Sequence, residues 1–192
     1  DTLQHFTLAF WVRVNSATPF PSMTLFRINN GKAGFGYYDR GNLYFDITVN
    51  GLPRRLFKLD SNIADGNYHH LAASYDGADI RMYYDGALYN TLGTTGGPVP
   101  TGQGVSFSTP DAPLNGSLDD VRIYNRVLSN IEVATLVYNC NNVQGIPVSE
   151  CQALVAFAHS THAEQWVAST QWLANTTPCN WVGILCNNGH VI

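Results

Sequence analysis

Residues 65–92 read DGNYHHLAASYDGADIRMYYDGALYNTL. Two Asp-Gly pairs, Asp76-Gly77 and Asp85-Gly86, interrupt a run of alternating apolar and polar residues. Asp-Gly accepts the positive φ angles of a tight hairpin, so each pair is a strong turn signal. Successive side chains of a strand point to opposite faces. Tyr68, His70, Ala72 and Ser74 therefore share one face, and His69, Leu71, Ala73 and Tyr75 share the other. Beyond the first turn, Ile80, Met82 and Tyr84 point one way, while Arg81 and Tyr83 point the other. Three short strands in succession predict an antiparallel meander.

Two further segments extend this pattern. In FTLAFWVRV, residues 6–14, the residues Phe6, Leu8, Phe10, Val12 and Val14 alternate inward. Residues 116–136, GSLDDVRIYNRVLSNIEVATL, read as a strand from Leu118 to Tyr124 with Val121 and Ile123 on one face. Ser129 then opens a helix, and Glu132 three residues on completes a capping box. Ile131, Val133, Leu136 and Val137 supply the apolar side of that helix. The meander resembles the W-H-H-V-A-x-x-Y-D-G hairpin of laminin-G-like, concanavalin-like jelly rolls, and residues 116–136 resemble the closing motif of the same family. The resemblance covers residues 6–138. It implies an extracellular module that binds or spaces rather than catalyses. Members of the family usually open with one more strand pair, which is expected to be missing here because the chain starts at Asp1.

A second module follows the Asn-rich stretch at residues 141–147. Ser149 reads as a helix cap with Gln152 at its third position. Cys151, Leu154, Val155 and Ala158 form an apolar stripe with Phe157 alongside. Trp166, Trp172 and the segment PCNWVGILCNNGHVI then resemble the N-terminal cap of leucine-rich-repeat proteins over residues 148–192. That resemblance implies that Val191-Ile192 begins a first repeat strand. The chain stops there, so it reads as an excerpt of a longer protein or as one whose open face is covered otherwise.

All four cysteines, Cys140, Cys151, Cys179 and Cys186, follow the sandwich. An even number in a short segment reads as a disulfide framework. Three pairings are open, and Cys140–Cys151 with Cys179–Cys186 is favoured because each closes a short local loop. A zinc site is disfavoured, since no C-x-x-C pair exists and His159, His162 and His190 are poorly spaced.

The expected fold is therefore all-β. An antiparallel jelly-roll β-sandwich with a short terminal helix occupies residues 1–139, and a small helical, disulfide-stapled cap occupies residues 140–192. Composition agrees with an extracellular β protein: charged residues are only 12% of the chain, about half the usual share. A net charge of -4 offers no basic footprint for nucleic acid. No apolar run reaches membrane-spanning length. No signal peptide is visible, as expected of a mature or excerpted region of a secreted chain.

Few residues point to chemistry. Asp119 and Asp120 are adjacent carboxylates at the mouth of a strand and suit a hard cation such as Ca²⁺, as at this motif in related jelly rolls. The competing reading has one Asp accepting loop amides and the other paired with Arg122 or Arg126. His69 and His70 are adjacent on a strand and so face apart, one toward the core and one exposed. Asp76, Asp79 and Asp85 read as turn residues.

A glycoside hydrolase needs two carboxylates facing a cleft. No E-x-D-x-x-E spacing occurs, and Glu132, Glu150 and Glu164 are the only glutamates. Tyr and Trp rings can stack on sugar faces. The GKAGFGYYDRGN loop, with Phe35, Tyr37, Tyr38, Asp39 and Arg40, is the first choice for a ligand site. Asn115 and Asn175 stand in N-x-S/T sequons.

The chain thus reads as a non-catalytic extracellular module for adhesion or for binding glycans or proteins. The alternative is a structural subunit of an extracellular filament or surface layer. In that alternative, self-assembly would use the unpaired edge left at Phe6–Val14 and the open cap.

Overall fold

The structure is a computed structural model that describes residues 2–15, 22–28, 31–38, 42–58, 63–94, 96–100, 102, 104–161, 163–166, 172–173 and 175–192. It divides into two compact units, Asp1–Leu128 and Ser129–Ile192.

Among the described residues, twelve strands build the first unit: β1 (Thr2–Leu3), β2 (Phe6–Val14), β3 (Ser22–Ile28), β4 (Ala33–Tyr38), β5 (Asn42–Val49), β6 (Leu52–Lys58), β7 (Tyr68–Tyr75), β8 (Asp79–Tyr84), β9 (Ala87–Gly93), β10 (Val99–Pro100), β11 (Val105–Phe107) and β12 (Gly116–Tyr124). One antiparallel sheet has the order β11-β3-β4-β5-β6 and the other β12-β2-β7-β8-β9, while β1 and β10 form a short ribbon. The two sheets make a sandwich. Its core takes the inward residues of each: Phe6, Leu8, Phe10, Val12 and Val14 from β2, and Leu43, Phe45, Ile47 and Val49 from β5. Strand periodicity alone places them there, since every second residue is apolar.

The meander forms as its sequence predicts. Asp85 and Gly86 both take positive φ, 47° and 81°, as the two-residue turn between β8 and β9 requires. Asp76 closes the preceding turn by accepting the amides of Ala78 and Asp79 at 3.0 and 2.7 Å.

The edge expected at Phe6–Val14 does not exist. β2 lies inside its sheet, with β12 on one side and β7 on the other. The reason is non-local: β12, about a hundred residues later, returns to pair Gly116 with Val14 and Tyr124 with Thr7. Among the described residues, the outermost strands are β11 and β6 in one sheet, and β12 and β9 in the other.

In the second unit, α1 (Asn130–Val137) carries the predicted capping box. The Ser129 hydroxyl accepts from the Glu132 amide at 3.3 Å, and the Glu132 carboxylate accepts from the Ser129 amide at 2.8 Å. α2 (Val148–Ser160) starts earlier than expected: its cap is Pro147, and Ser149 lies within the first turn and makes no capping bond. The Pro147 carbonyl takes the amides of Glu150 and Cys151 instead. The unit's core gathers Ile131, Ala158, Ala163, Trp172 and Trp181. Disulfides join Cys140 to Cys151 and Cys179 to Cys186, the favoured pairing. The strand pair β13 (Cys186–Asn187) and β14 (His190–Val191) follows.

Candidate functional site

The outward face of β3 to β6 carries a platform of aromatic and charged side chains, and its construction begins at a turn. Asn50 and Gly51 take φ of 49° and 75°, the two positive values of a tight hairpin. This sets Val49 opposite Leu52, and therefore Asp46 opposite Arg55 and Tyr44 opposite Phe57. Because Leu43, Phe45, Ile47 and Val49 point inward, Tyr44 and Asp46 must point outward with their partners.

Two rows cross the sheet. The first runs Arg27, Gly34, Asp46, Arg55, and the second runs Thr24, Gly36, Tyr44, Phe57. Each row has a glycine on β4, and each glycine makes way for a neighbour. A β-carbon on Gly34 would collide with the Phe26 carbonyl and the Arg27 side chain, and one on Gly36 with the Tyr44 ring. Arg27 reaches across Gly34 to hold Asp46 through two bonds, at 2.9 and 3.2 Å. Arg55 grips the same carboxylate at 2.8 Å and lies 4.2 Å over the Tyr44 ring. Tyr38, Tyr44 and Phe57 have mutual centroid separations of 6.0 to 6.3 Å. Tyr38 is 38% exposed, whereas Tyr44 is nearly buried beneath its neighbours.

The platform can present ring faces and one surplus positive charge in a rigid frame. Among the described residues it supplies no acid and base pair, because its carboxylate, Asp46, is locked between two guanidinium groups. Of the five residues expected to bind a ligand, three are described, and of these Tyr38 belongs to the platform. Residues 33–38 are strand rather than loop. Phe35 and Tyr37 fall on the inward face, with Phe35 fully buried between Phe10 at 5.3 Å and Phe45 at 5.0 Å. Burial also raises the Tyr37 hydroxyl above its ordinary pKa. Asp39 and Arg40 lie outside the described residues. The local signal for the platform is Asn50-Gly51 itself, which puts Tyr44, Asp46, Arg55 and Phe57 on one face.

Asp119 and Asp120 sit at a β-bulge in β12, where the register against β2 shifts and Asp120 takes φ 47°. Asp119 accepts the Asp120 amide at 2.8 Å. Both Asp120 oxygens are taken by Arg122, at 2.8 and 2.7 Å. This arrangement does not fit a calcium ion, which needs several oxygens turned to one point. Among the described residues no three His, Cys, Asp or Glu side chains gather as metal ligands.

The two histidines do face apart, but neither is exposed. His69 stacks on Tyr84, and its ring nitrogens lie 2.9 Å from Asp85 and 3.3 Å from Asp65. His70 is 2% exposed, rests against Trp11 at 5.3 Å, and its Nδ1 has no partner among the described residues. Burial pushes His70 from 6.5 down to about 4, opposed by Asp85 and Asp120. Between those values the unfolded chain binds a proton that the native chain refuses, so stability is full above pH 6.5 and falls as pH drops toward 4. Equilibrium unfolding at about pH 7 and about pH 4.5 should show this loss in the native sequence and a smaller one in His70→Gln. Equal losses in both would assign the slope to other groups.

Asn115 and Asn175 are both exposed. The Asn175 side-chain oxygen accepts from the Thr177 amide, the Thr177 hydroxyl and the Trp181 indole at 2.9, 2.8 and 3.3 Å.

Comparison with known proteins bears on the fold. Residues 1–134 match the family model of the concanavalin A-like lectin/glucanases superfamily, and residues 148–187 match that of the leucine rich repeat N-terminal domain. No curated protein matches the chain. Among solved structures, the botulinum neurotoxin serotype G binding domain aligns with TM-score 0.60 at 16% identity, over 74% of this chain and 38% of that one. The binding domain of Paraclostridial Mosquitocidal Protein 1 aligns with TM-score 0.59 at 18% identity, over 70% and 37%. The binding domain of botulinum neurotoxin DC, in complex with rat synaptotagmin II, aligns with TM-score 0.58 at 16% identity, over 70% and 36%. The chain thus spans a little over a third of the length of these domains, and at such identities the likeness is one of fold.

Proposed function

The chain belongs to the concanavalin A-like lectin/glucanases superfamily across residues 1–134, and from that premise we propose that it is a non-catalytic module of an extracellular protein that binds a glycan or a protein surface through the outer face of β3 to β6. The observation that carries this reading is the platform of Tyr38, Tyr44, Phe57 and Arg55. Flat rings beside a fixed guanidinium suit a ligand with an apolar face and polar edges.

Other features support the reading. Solved binding domains share the fold, one of them in complex with a protein. The two disulfides suit an oxidising compartment, and exposed Asn115 and Asn175 are open to glycosylation there. No helix among the described residues is long and apolar enough to cross a membrane. The non-catalytic part rests on Asp46, held by Arg27 and Arg55, and on the glutamates, all of which lie beyond residue 128.

Tyr38→Ala tests the platform. Removing this exposed ring should weaken glycan binding roughly fivefold, as loss of one ring contact does. It should leave the melting midpoint unchanged, because Tyr38 faces away from the core. A glycan array followed by titration of the best glycan reads the effect. Undiminished affinity in Tyr38→Ala would remove the platform as the site.

A further inference from the structure

The second unit holds a shallow cavity of about 260 Å³ whose walls include Val137, Tyr138, Leu173, Asn175 and Thr176. Val137 is the last residue of α1. Val137, Tyr138 and Leu173 are all half-buried, so they leave apolar surface in water. The Tyr138 hydroxyl donates to the Asn175 backbone carbonyl at 2.9 Å, which ties one wall to the other. The volume falls below the ~300–1,000 Å³ of ordinary small-molecule sites. It suits one sugar ring better than a larger ligand.

Asn175 is also a sequon asparagine, followed by Thr176 and Thr177. Its side-chain oxygen takes the Thr177 amide, the Thr177 hydroxyl and the Trp181 indole. Those donors fix the planar amide and turn its Nδ2 away from Thr177 and Trp181. Among the described residues that nitrogen has no partner. The other sequon is held differently. The Asn115 side-chain oxygen accepts from Asn15 at 3.1 Å, and the Ser117 hydroxyl takes a long bond from Arg13 at 3.5 Å.

A sequon needs no cavity, and a shallow cavity needs no occupant. Here the asparagine is itself a wall of the cavity, and its amide is set in place by its own neighbours. Going beyond the platform and resting on the extracellular setting proposed above, we propose that Asn175 carries an N-linked glycan whose first N-acetylglucosamine covers this cavity and stabilises the second unit. Attachment joins Asn175 Nδ2 to the anomeric carbon of a lipid-linked oligosaccharide. It breaks that carbon's bond to the diphosphate oxygen, and releases the lipid diphosphate and one amide proton. The first ring then lies against Val137, Tyr138 and Leu173 and removes their apolar surface from water.

The test uses the full chain carrying Asn115→Gln, in which Asn175 is the remaining sequon. One sample is secreted from a eukaryotic host that adds high-mannose glycans, and part of it is trimmed by an endoglycosidase to the first sugar. The other is made in the bacterial periplasm, where disulfides form without the sugar. Intact mass reads occupancy. Tryptophan fluorescence reads melting of the second unit, which holds Trp166, Trp172 and Trp181. The trimmed chain should melt roughly 4 °C above the sugar-free one, the response of so small a unit to one modest contact. The untrimmed chain should melt with the trimmed one. Val137→Ser, which makes a cavity wall polar, should erase most of the difference between sugared and sugar-free chains.

An unmodified Asn175 in the secreted chain would overturn the proposal, as would equal midpoints with and without the sugar. A gain lost on trimming would belong to the outer sugars, and a gain undiminished in Val137→Ser would belong to another contact. Either result would overturn it too. The host supplies the sugar whatever the native compartment, so these failures fall on the cavity and leave the extracellular setting and the platform as they stand. Protein isolated from its own source without the glycan would overturn the proposal through the setting instead.

Discussion

Phe35→Ala is expected to cost the sandwich about 3–5 kcal/mol, the range for truncating a large ring inside a packed core. Phe35 is fully buried and is contacted by Phe10 and Phe45 from both sheets of the sandwich. Alanine there would leave a void that its neighbours can only partly close. Urea unfolding of the variant should show a much lower midpoint with a similar slope, because the surface exposed on unfolding hardly changes. The contrast with Tyr38→Ala, three positions along the same strand, is the informative part. One variant should lose stability, and the other should lose ligand while keeping its midpoint. A stable Phe35→Ala that lost only binding would show that β4 faces the opposite way.

The second large effect is expected from the disulfides. Cys140–Cys151 and Cys179–Cys186 close loops with separations of 11 and 7 residues. Chain entropy assigns about 2–3 kcal/mol to each loop of that size. For a compact unit confined to Ser129–Ile192 this is a large fraction of the few kcal/mol that so small a core supplies. Reduction should therefore melt the second unit at a temperature where the oxidised form is folded. Tryptophan fluorescence reports it directly, because Trp172 and Trp181 lie in that unit's core with centroids 5.0 Å apart. Opening of the core should shift their emission to the red. If the spectrum and the melting curve were the same with and without reductant, the bridges would contribute nothing to that core.

Local signals in the sequence foretold much of this. The hairpins at Asp76-Gly77 and Asp85-Gly86, the inward series from Phe6 to Val14, the Ser129 capping box and the cysteine pairing all depend on residues close together in the chain. The position of β2 inside its sheet does not. It depends on β12, which lies a hundred residues away and whose partner no local pattern specifies. The bulge at Asp119–Asp120 arises from the same pairing, as a register shift against β2, and it engages the two carboxylates that read as a cation site. Phe35 and Tyr37 read as loop residues for a clear reason. Gly34 and Gly36 look like loop residues in GKAGFGYY. In the fold they are strand residues without side chains, so that Arg27 and Tyr44 can lie across them. A glycine that yields space to a neighbour cannot be told from one that bends the chain until the neighbour is known.

The Asn50-Gly51 turn has a consequence for how this face can evolve. Its two residues decide which side chains of β6 look outward: Arg55 and Phe57, rather than Arg54, Leu56 and Lys58. Slip the pairing by one residue and the two sets trade places, turning the outer face inside out and carrying Arg55 and Phe57 to the side that Arg54, Leu56 and Lys58 now take. Slip it by two and the parity is restored, with a new pair of residues delivered to the same surface. Length changes at this turn are therefore quantised. Odd register shifts would dismantle the face and even ones would re-letter it, so that, on the binding role proposed above, diversity can enter through the length of a single turn as well as through substitution on the surface itself.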